Sequence, residues 1–263
     1  MQINPQVCQS GGEGAADQSA ADQQVGLGRF AELLLVGNSG KIRIGYTNAA
    51  SGSFDLSSDP FSEELQQRRE ALTGLTSVSW LHQEHGTSIE QITQRNPQML
   101  AGSIADAAIT DQRNHAVSVI TADCAPIALW TNGGVVGAVH AGWKGLHAGI
   151  IEQSIAAVRK LSGEDEVFAW LGPCIGPECY EFGAADLALL AKRYGPRVCS
   201  VTAEGLPAFD MTAGVRAAAG IGGAHWAGSA GICTACSDKW FSWRARKSAG
   251  RQALFVWCQS GTD

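Results

Sequence analysis

The chain has 263 residues, 45% hydrophobic and 17% charged, which supplies enough apolar mass for a packed core and excludes a wholly disordered polypeptide. Nineteen Lys and Arg against twenty-five Asp and Glu give a formal charge of -6, which argues against broad binding to nucleic acid or anionic membranes. No run reaches the roughly 18 apolar residues of a membrane span. No basic segment leading into an apolar stretch opens the chain, so a cytoplasmic protein with eight reduced cysteines is expected.

Residues 1–28 are Gln-, Ala- and Gly-rich with almost no large apolar side chains, and are expected to form a disordered tail; residues 29–263 are expected to form one catalytic domain. FAELLLV and KIRIGYT read as two strands joined by Gly37-Asn38-Ser39-Gly40. A polar loop over residues 51–60 leads to a helix from Phe61, with Leu65, Arg69 and Leu72 along one face and Gly74 as its stop. VSWLHQEHG reads as a strand running into a turn, and AVSVIT, PIALWT and VVGAVH as three more strands around Cys124 and His140. Ile151, Ile155 and Val158 then recur at helical spacing. VFAWLG is a further strand, GPCIGPECYEFG is too rich in Gly and Pro for a helix, and AADLALLAKRY and MTAGVRAAAG are helices. WFSWR and RQALFVWC close the chain as two strand candidates. The succession predicts a single α/β (α+β) domain of mixed β-sheets flanked by helices, and no GxGxxG follows a first strand to indicate a dinucleotide fold.

Three islands place a metal-capable or nucleophilic residue beside glycine or a turn: His85 in QEHGT, Cys124 in TADCAPI and His140 in VHAGWKG. Two imidazoles and one thiolate fit a catalytic metal site with an open position. The same residues fit a Cys124 nucleophile served by His140 or His85 as base, or a buried thiol beside two structural imidazoles. His82 precedes His85 by three residues, a spacing that a strand places on opposite faces. Asp123 is a candidate to orient a ligand imidazole or to shuttle protons, or else simply caps its turn. Cys233 and Cys236 form CxxC, and with Cys174 and Cys179 four thiolates could in principle hold a structural zinc. The CxxxxC spacing of the second pair and the long gap between pairs argue against that arrangement.

In order along the chain, WLHQEHGT, ADAAIT (Ala105 to Thr110), TADCAPIALW, GAVHAGWKGLHAGI, AWLGPCIGPECYEFG and ICTACSDKWFSWR resemble the YfiH/laccase-domain family, long labelled multicopper polyphenol oxidoreductase. The resemblance covers about residues 30–260. It implies a single α/β domain in which His85, Cys124 and His140 bind zinc, or copper in some accounts. Members are described as purine nucleoside phosphorylases acting on adenosine, inosine, guanosine and methylthioadenosine, as adenosine deaminases, as laccase-like oxidases and as editors of peptidoglycan precursors. This chain departs from the pattern where Ser53-Phe54-Asp55-Leu56-Ser57 stands for SLNLG and Arg68-Arg69 for Asn-Arg, and Cys236 lies outside it.

The resulting expectation is a zinc-dependent purine nucleoside phosphorylase with adenosine deaminase activity, binding purine nucleoside and phosphate as a monomer or small homo-oligomer. Deamination would use Asp123 as the proton-shuttling carboxylate, with Glu181 as second candidate. Phosphorolysis would use Lys144, Arg244 and Arg69 on phosphate or the leaving group. Five basic residues between Lys239 and Arg251 form a local cationic excess suited to an anionic substrate or to a solvated turn. Trp143 is a candidate to stack on the substrate ring, or a core residue. The alternatives are a copper-dependent laccase-like oxidoreductase and a hydrolase with Cys124 as nucleophile. With only six histidines and no HxH run, one metal site of this kind can be built, which counts against a multi-centre oxidase but not against oxidation at one copper.

Overall fold

Side-chain alternation along the strands builds two β-sheets that stack face to face, with helices on their outer faces. The computed structural model describes residues 31–37, 40–56, 59–75, 77–93 and 102–260. The expected tail over residues 1–28 lies outside the described residues, as do Asn38 and Ser39 of the expected first turn.

In chain order the elements are β1 (Ala31–Gly37), β2 (Gly40–Tyr46), α1 (Glu63–Thr73), β3 (Val78–Ser79), β4 (Leu81–His82), β5 (Ile89–Ile92), β6 (Ser103–Ile104), β7 (Ala107–Thr110), β8 (Ala116–Thr121), β9 (Ala125–Trp130) and β10 (Val136–Ala141). They continue as α2 (Trp143–Ala148), α3 (Ile150–Ser162), β11 (Phe168–Leu171), α4 (Ala184–Tyr194), β12 (Cys199–Val201), β13 (Pro207–Phe209), α5 (Met211–Ile221), β14 (His225–Ser229), α6 (Trp243–Arg246) and β15 (Gln252–Gln259). The five-stranded sheet has the order β1-β2-β15-β8-β3 and the six-stranded sheet β14-β11-β9-β10-β7-β5, while β12-β13 and β4-β6 form two small two-stranded pairs. Both larger sheets mix parallel and antiparallel pairs: β3 runs parallel to β8 and β5 parallel to β7, while β9, β10 and β11 pair antiparallel.

The two-residue period sorts the core into layers. Ile42, Ile44, Val117, Val119, Leu254 and Val256 of the five-stranded sheet pack against Ala128, Trp130, Val136 and Ala138 of the six-stranded one. Alternate residues of β15, Ala253, Phe255 and Trp257, turn outward to meet Phe54 and Leu65 under α1. On the far side, Ile127, Leu129 and Val139 pack against Leu146, Ile151, Ile155, Val158 and Val215 from α2, α3 and α5. Ile151, Ile155 and Val158 are the helical stripe read from the sequence, and all three are fully buried. Truncating Ile151 or Ile155 to Ala is expected to cost about 2–5 kcal/mol.

Several elements differ from expectation, among them the short strands β5, β6, β7, β12 and β13, which were not read from the sequence. WFSWR is not a strand: Trp243–Arg246 is the short helix α6, because the Ser242 hydroxyl accepts the Ala245 N–H at 3.1 Å and the Arg246 guanidinium donates to the carbonyls of Thr234, Ala235, Ser237 and Trp240. His225–Ser229, not read as a strand, adds parallel to β11 at the sheet edge. Its burial alternates between exposed and intermediate, so its sequence carries little apolar signal. No helix among the described residues is long and apolar enough to cross a membrane.

Candidate metal centre

The chain leaves the five-stranded sheet at the end of β8, turns through Ala122-Asp123-Cys124, and enters the six-stranded sheet as β9. Cys124 therefore sits at the crossover between sheets. His140 is the penultimate residue of β10, whose neighbour β9 pairs it opposite Pro126. His85 lies in the turn between β4 and β5 with φ of 61°, a left-handed conformation that non-glycine residues adopt uncommonly. Three segments distant in sequence thus converge at one end of the sandwich. One ligand-capable atom from each of His85, Cys124 and His140 falls within 4.8 Å of the others. Cys124 Sγ is 3.7 Å from His85 Nε2, and the two imidazole rings stand edge to face with centroids 4.8 Å apart.

A carboxylate not singled out in the sequence organises the site. Asp106, buried just before β7, accepts from His140 Nδ1 at 2.8 Å and from the backbone N–H groups of Glu84, His85 and Gly86 at 3.2, 2.9 and 2.7 Å. One side chain therefore fixes the orientation of one histidine and the backbone turn that carries the other. Burial alone would raise the Asp106 pKa; the hydrogen bonds from His140, Gly86 and Glu84 and the His140 charge outweigh it and hold the carboxyl below its usual range. With Nδ1 engaged, Nε2 is the nitrogen His140 has left for a metal. The expectation that Asp123 orients a ligand imidazole is corrected accordingly: Asp106 does so.

Asp123 has a different task. Its backbone is left-handed, with φ of 98°, and its carboxylate accepts the Thr234 hydroxyl at 2.7 Å and the Arg244 backbone N–H at 2.6 Å. Both oxygens are committed to holding the crossover loop against the C-terminal segment. Close approach is also built into the backbone facing the metal-capable atoms. A Cβ on Gly142 would lie 2.5 Å from His85 Cδ2 and 3.4 Å from Cys124 Sγ, and one on Gly145 would lie 2.8 Å from the Gly86 carbonyl oxygen.

The three residues are electrostatically coupled. Burial pushes the Cys124 thiol up, but the His140 charge and hydrogen bonds from both imidazoles prevail and bring it down to about 6. Burial pushes His140 down, but the Cys124 thiolate and Asp106 raise it to about 9. In the metal-free chain each shift favours the charged form of the pair, the thiolate on Cys124 and the imidazolium on His140.

The site opens on a cavity of about 990 Å³ that Trp143, Lys144, Tyr180, Arg244 and Arg251 also line. Lys144 Nζ lies 5.7 Å from the centre of the Trp143 ring, and the Arg244 guanidinium 5.0 Å from that of Tyr180. Two residues expected to contact substrate are elsewhere. Arg69 is buried on α1 over the Trp80 ring at 5.1 Å and donates to the Pro60 carbonyl, and desolvation lowers it to about 10. Glu181 is exposed and its backbone bridges to Ala208, away from the cavity lining. Gln83 was missed by sequence reasoning; it lines the cavity and exchanges two 2.8 Å hydrogen bonds with the Ile120 backbone.

A family model described as "Multi-copper polyphenol oxidoreductase laccase" matches residues 45–259. Among similar proteins, one named "Purine nucleoside phosphorylase" from Xylella fastidiosa is 34% identical over 74% of this chain and 78% of its own length. "Purine nucleoside phosphorylase YfiH" from Escherichia coli is 30% identical over 74% of this chain and 80% of its own. A crystal structure of a Neisseria meningitidis protein superposes with a TM-score of 0.71 at 24% identity, covering 87% of this chain and 99% of that one. The hypothetical protein YfiH of Bacillus licheniformis superposes with a TM-score of 0.71 at 19% identity, covering 83% and 93%. At these identities the structures speak to the fold, which is the YfiH-like arrangement of mixed sheets flanked by helices.

The expectation of a zinc-dependent purine nucleoside phosphorylase and adenosine deaminase is corrected. The family description names copper and phenols, and the metal-capable group is compatible with copper. The phosphorylase names belong to the relatives that carry them. The carboxylate assigned to deamination, Asp123, has both oxygens tied down, its substitute Glu181 is outside the cavity, and the expected phosphate contact Arg69 is buried elsewhere.

Proposed function

The chain belongs to the multi-copper polyphenol oxidoreductase laccase family, and on that premise we propose that it is a copper-dependent oxidoreductase of phenolic substrates, with His85, Cys124 and His140 as ligands. The observation that carries this reading is the His/Cys/His group within 4.8 Å at the inner end of an open cavity with aromatic walls. Two imidazoles and one thiolate are a donor set copper accepts, and Asp106 holds one imidazole in the tautomer that ligation requires. When bound, copper supplies one-electron redox chemistry at that position.

The chain's own residues account for substrate handling. Trp143 and Tyr180 offer ring faces against which a phenol can pack. Lys144 and Arg244 bring positive charge to the same wall, where they stabilise a phenol oxygen as it loses its proton. Asp123 keeps the Cys124 loop in place through Thr234 and the Arg244 backbone.

The test is oxygen uptake by the copper-loaded full chain with 2,6-dimethoxyphenol as substrate. Uptake is expected with the wild type and is expected to vanish, together with copper at this site, in Cys124→Ser. A chain that holds copper at this site yet consumes no oxygen with any phenol would overturn the reading. Lys144→Met is expected to lower kcat more than it raises KM, with copper retained, because its charge acts on the phenol oxygen as that oxygen loses its proton.

A further inference from the structure

A second group of thiols lies outside the cavity of the candidate copper site. The sequence spacing argued against convergence of the cysteine pairs, yet the tertiary structure brings Cys179, Cys233 and Cys236 together with Glu178, one donor atom of each within 4.8 Å of the rest. The fourth thiol considered in the sequence, Cys174, is not in this group; Glu178 takes that place.

Cys179 Sγ and Cys236 Sγ are 3.5 Å apart, and Cys236 Sγ is 3.2 Å from a Glu178 carboxylate oxygen. A disulfide requires about 2.05 Å between sulfurs. A tetrahedral ion with zinc–sulfur bonds of about 2.3 Å sets its sulfurs about 3.8 Å apart. The spacing here is close to the second value. The Gly176 N–H donates to Cys233 Sγ at 3.2 Å, a contact that stabilises a thiolate. The backbone is built for the cluster: Cys174 and Cys233 form an isolated parallel bridge, and Arg246 donates to the Thr234, Ala235 and Ser237 carbonyls, clamping the CxxC turn. Glu178, Cys233 and Cys236 face a cavity of about 670 Å³, so an ion has a route in.

We propose that Cys179, Cys233, Cys236 and Glu178 form a second metal site, one that takes zinc as a structural ion. Three sulfurs and one carboxylate oxygen complete a tetrahedral set with no position left for substrate. The oxygen donor favours zinc over cuprous copper, which is satisfied by sulfur alone. The site has a mechanical link to the copper site. Cys233 is followed by Thr234, whose hydroxyl donates to Asp123, and Asp123 precedes Cys124. Zinc at the second site therefore braces the loop that carries the copper-site thiolate. This inference does not rest on the oxidoreductase reading, because the two donor sets share no residue.

The experiment is metal analysis of the full chain purified under reducing conditions and loaded with zinc, with cobalt as a spectroscopic substitute. The wild type is expected to hold about two zinc ions per chain, and the His85→Asn/His140→Asn and Cys179→Ser/Cys236→Ser variants about one each. The cobalt form is expected to lose most of its thiolate charge-transfer absorption in the cysteine variant and little of it in the histidine variant. A histidine variant that holds no zinc, a cysteine variant that holds as much zinc as the wild type, or a Cys179–Cys236 disulfide in the metal-loaded chain would each overturn the proposal. Should the cysteine variant fail to fold, Glu178→Gln serves in its place. Its zinc is expected to pass to a chelator about 10-fold faster with the fold retained, and an unchanged rate would remove Glu178 from the site.

Discussion

The two thiol clusters are assembled by opposite means. At the Cys124 site three distant segments each contribute one side chain, a buried carboxylate orients them, and the group opens on a cavity walled by Trp143, Lys144 and Tyr180. At the Cys233 cluster two short, tightly turned segments contribute four donors, and backbone hydrogen bonds from Gly176 and Arg246 contacts hold the turns. An open set of three donors suits a reacting metal, and a closed set of four suits a structural one. The difference lies in the ratio of protein donors to free positions and in what surrounds them, and cysteine is common to both.

Mutations that remove a donor should separate the two most sharply. Cys124→Ser is expected to abolish metal at the open site while leaving the other occupied, as read by metal content per chain. If both sites empty together, the clusters are one cooperative unit and the contrast fails. Gly142→Ala should come next, because the added methyl meets His85 Cδ2 at 2.5 Å; displacement of that ring is expected to cut copper affinity by about 10–100-fold with the melting temperature little changed. Asp106→Asn keeps the volume but removes the charge that holds His140 and the His85 turn. Copper affinity is expected to fall by about 10–100-fold in competition titrations, and the metal-free chain to melt lower.

The pH response should be specific to the open site. His140 is raised to about 9, so its stabilising contribution is present below its unfolded value and is lost as pH rises through about 9. Cys124 is lowered to about 6, so its contribution is present above its unfolded value and is lost as pH falls through about 6. The metal-free chain is expected to be most stable between those limits, and thermal melts across pH should show the shoulder flatten in Cys124→Ser. Copper binding near pH 7.5 is expected to release about one proton, taken from His140, and calorimetry in buffers of different ionisation enthalpy would count it. Smallest of all should be Arg69→Met. It is expected to leave metal and oxygen uptake unchanged and to lower stability by about 1 kcal/mol through the lost bond to Pro60.

Much of the fold was legible because periodicity reports local structure. The Ile151, Ile155 and Val158 stripe and the apolar runs at AVSVIT and VVGAVH gave a helix and two strands that the structure contains. WFSWR misled because aromatic residues favour strands, whereas here a Ser242 cap and Arg246 carbonyl contacts wind it into a turn of helix. At the site, His85, Cys124 and His140 stood out by residue type and neighbouring glycine. Asp106 carried one available signal, an acid at the head of the otherwise apolar AAIT strand, since a buried carboxylate needs partners.

By itself the sequence determined which residue types were available for chemistry, the periods of the helices and strands, and a family resemblance carried by six islands. Only the tertiary structure decided which of those residues meet. It placed Arg69 and Glu181 away from the cavity, tied both Asp123 oxygens to the C-terminal segment, gave His140 to Asp106, and gathered cysteines that their spacing had kept apart. The physical reason is that periodicity encodes a residue's own backbone and its burial, whereas ligand geometry depends on sheet register and on where the chain crosses between layers. Those are set by contacts between segments far apart in the chain.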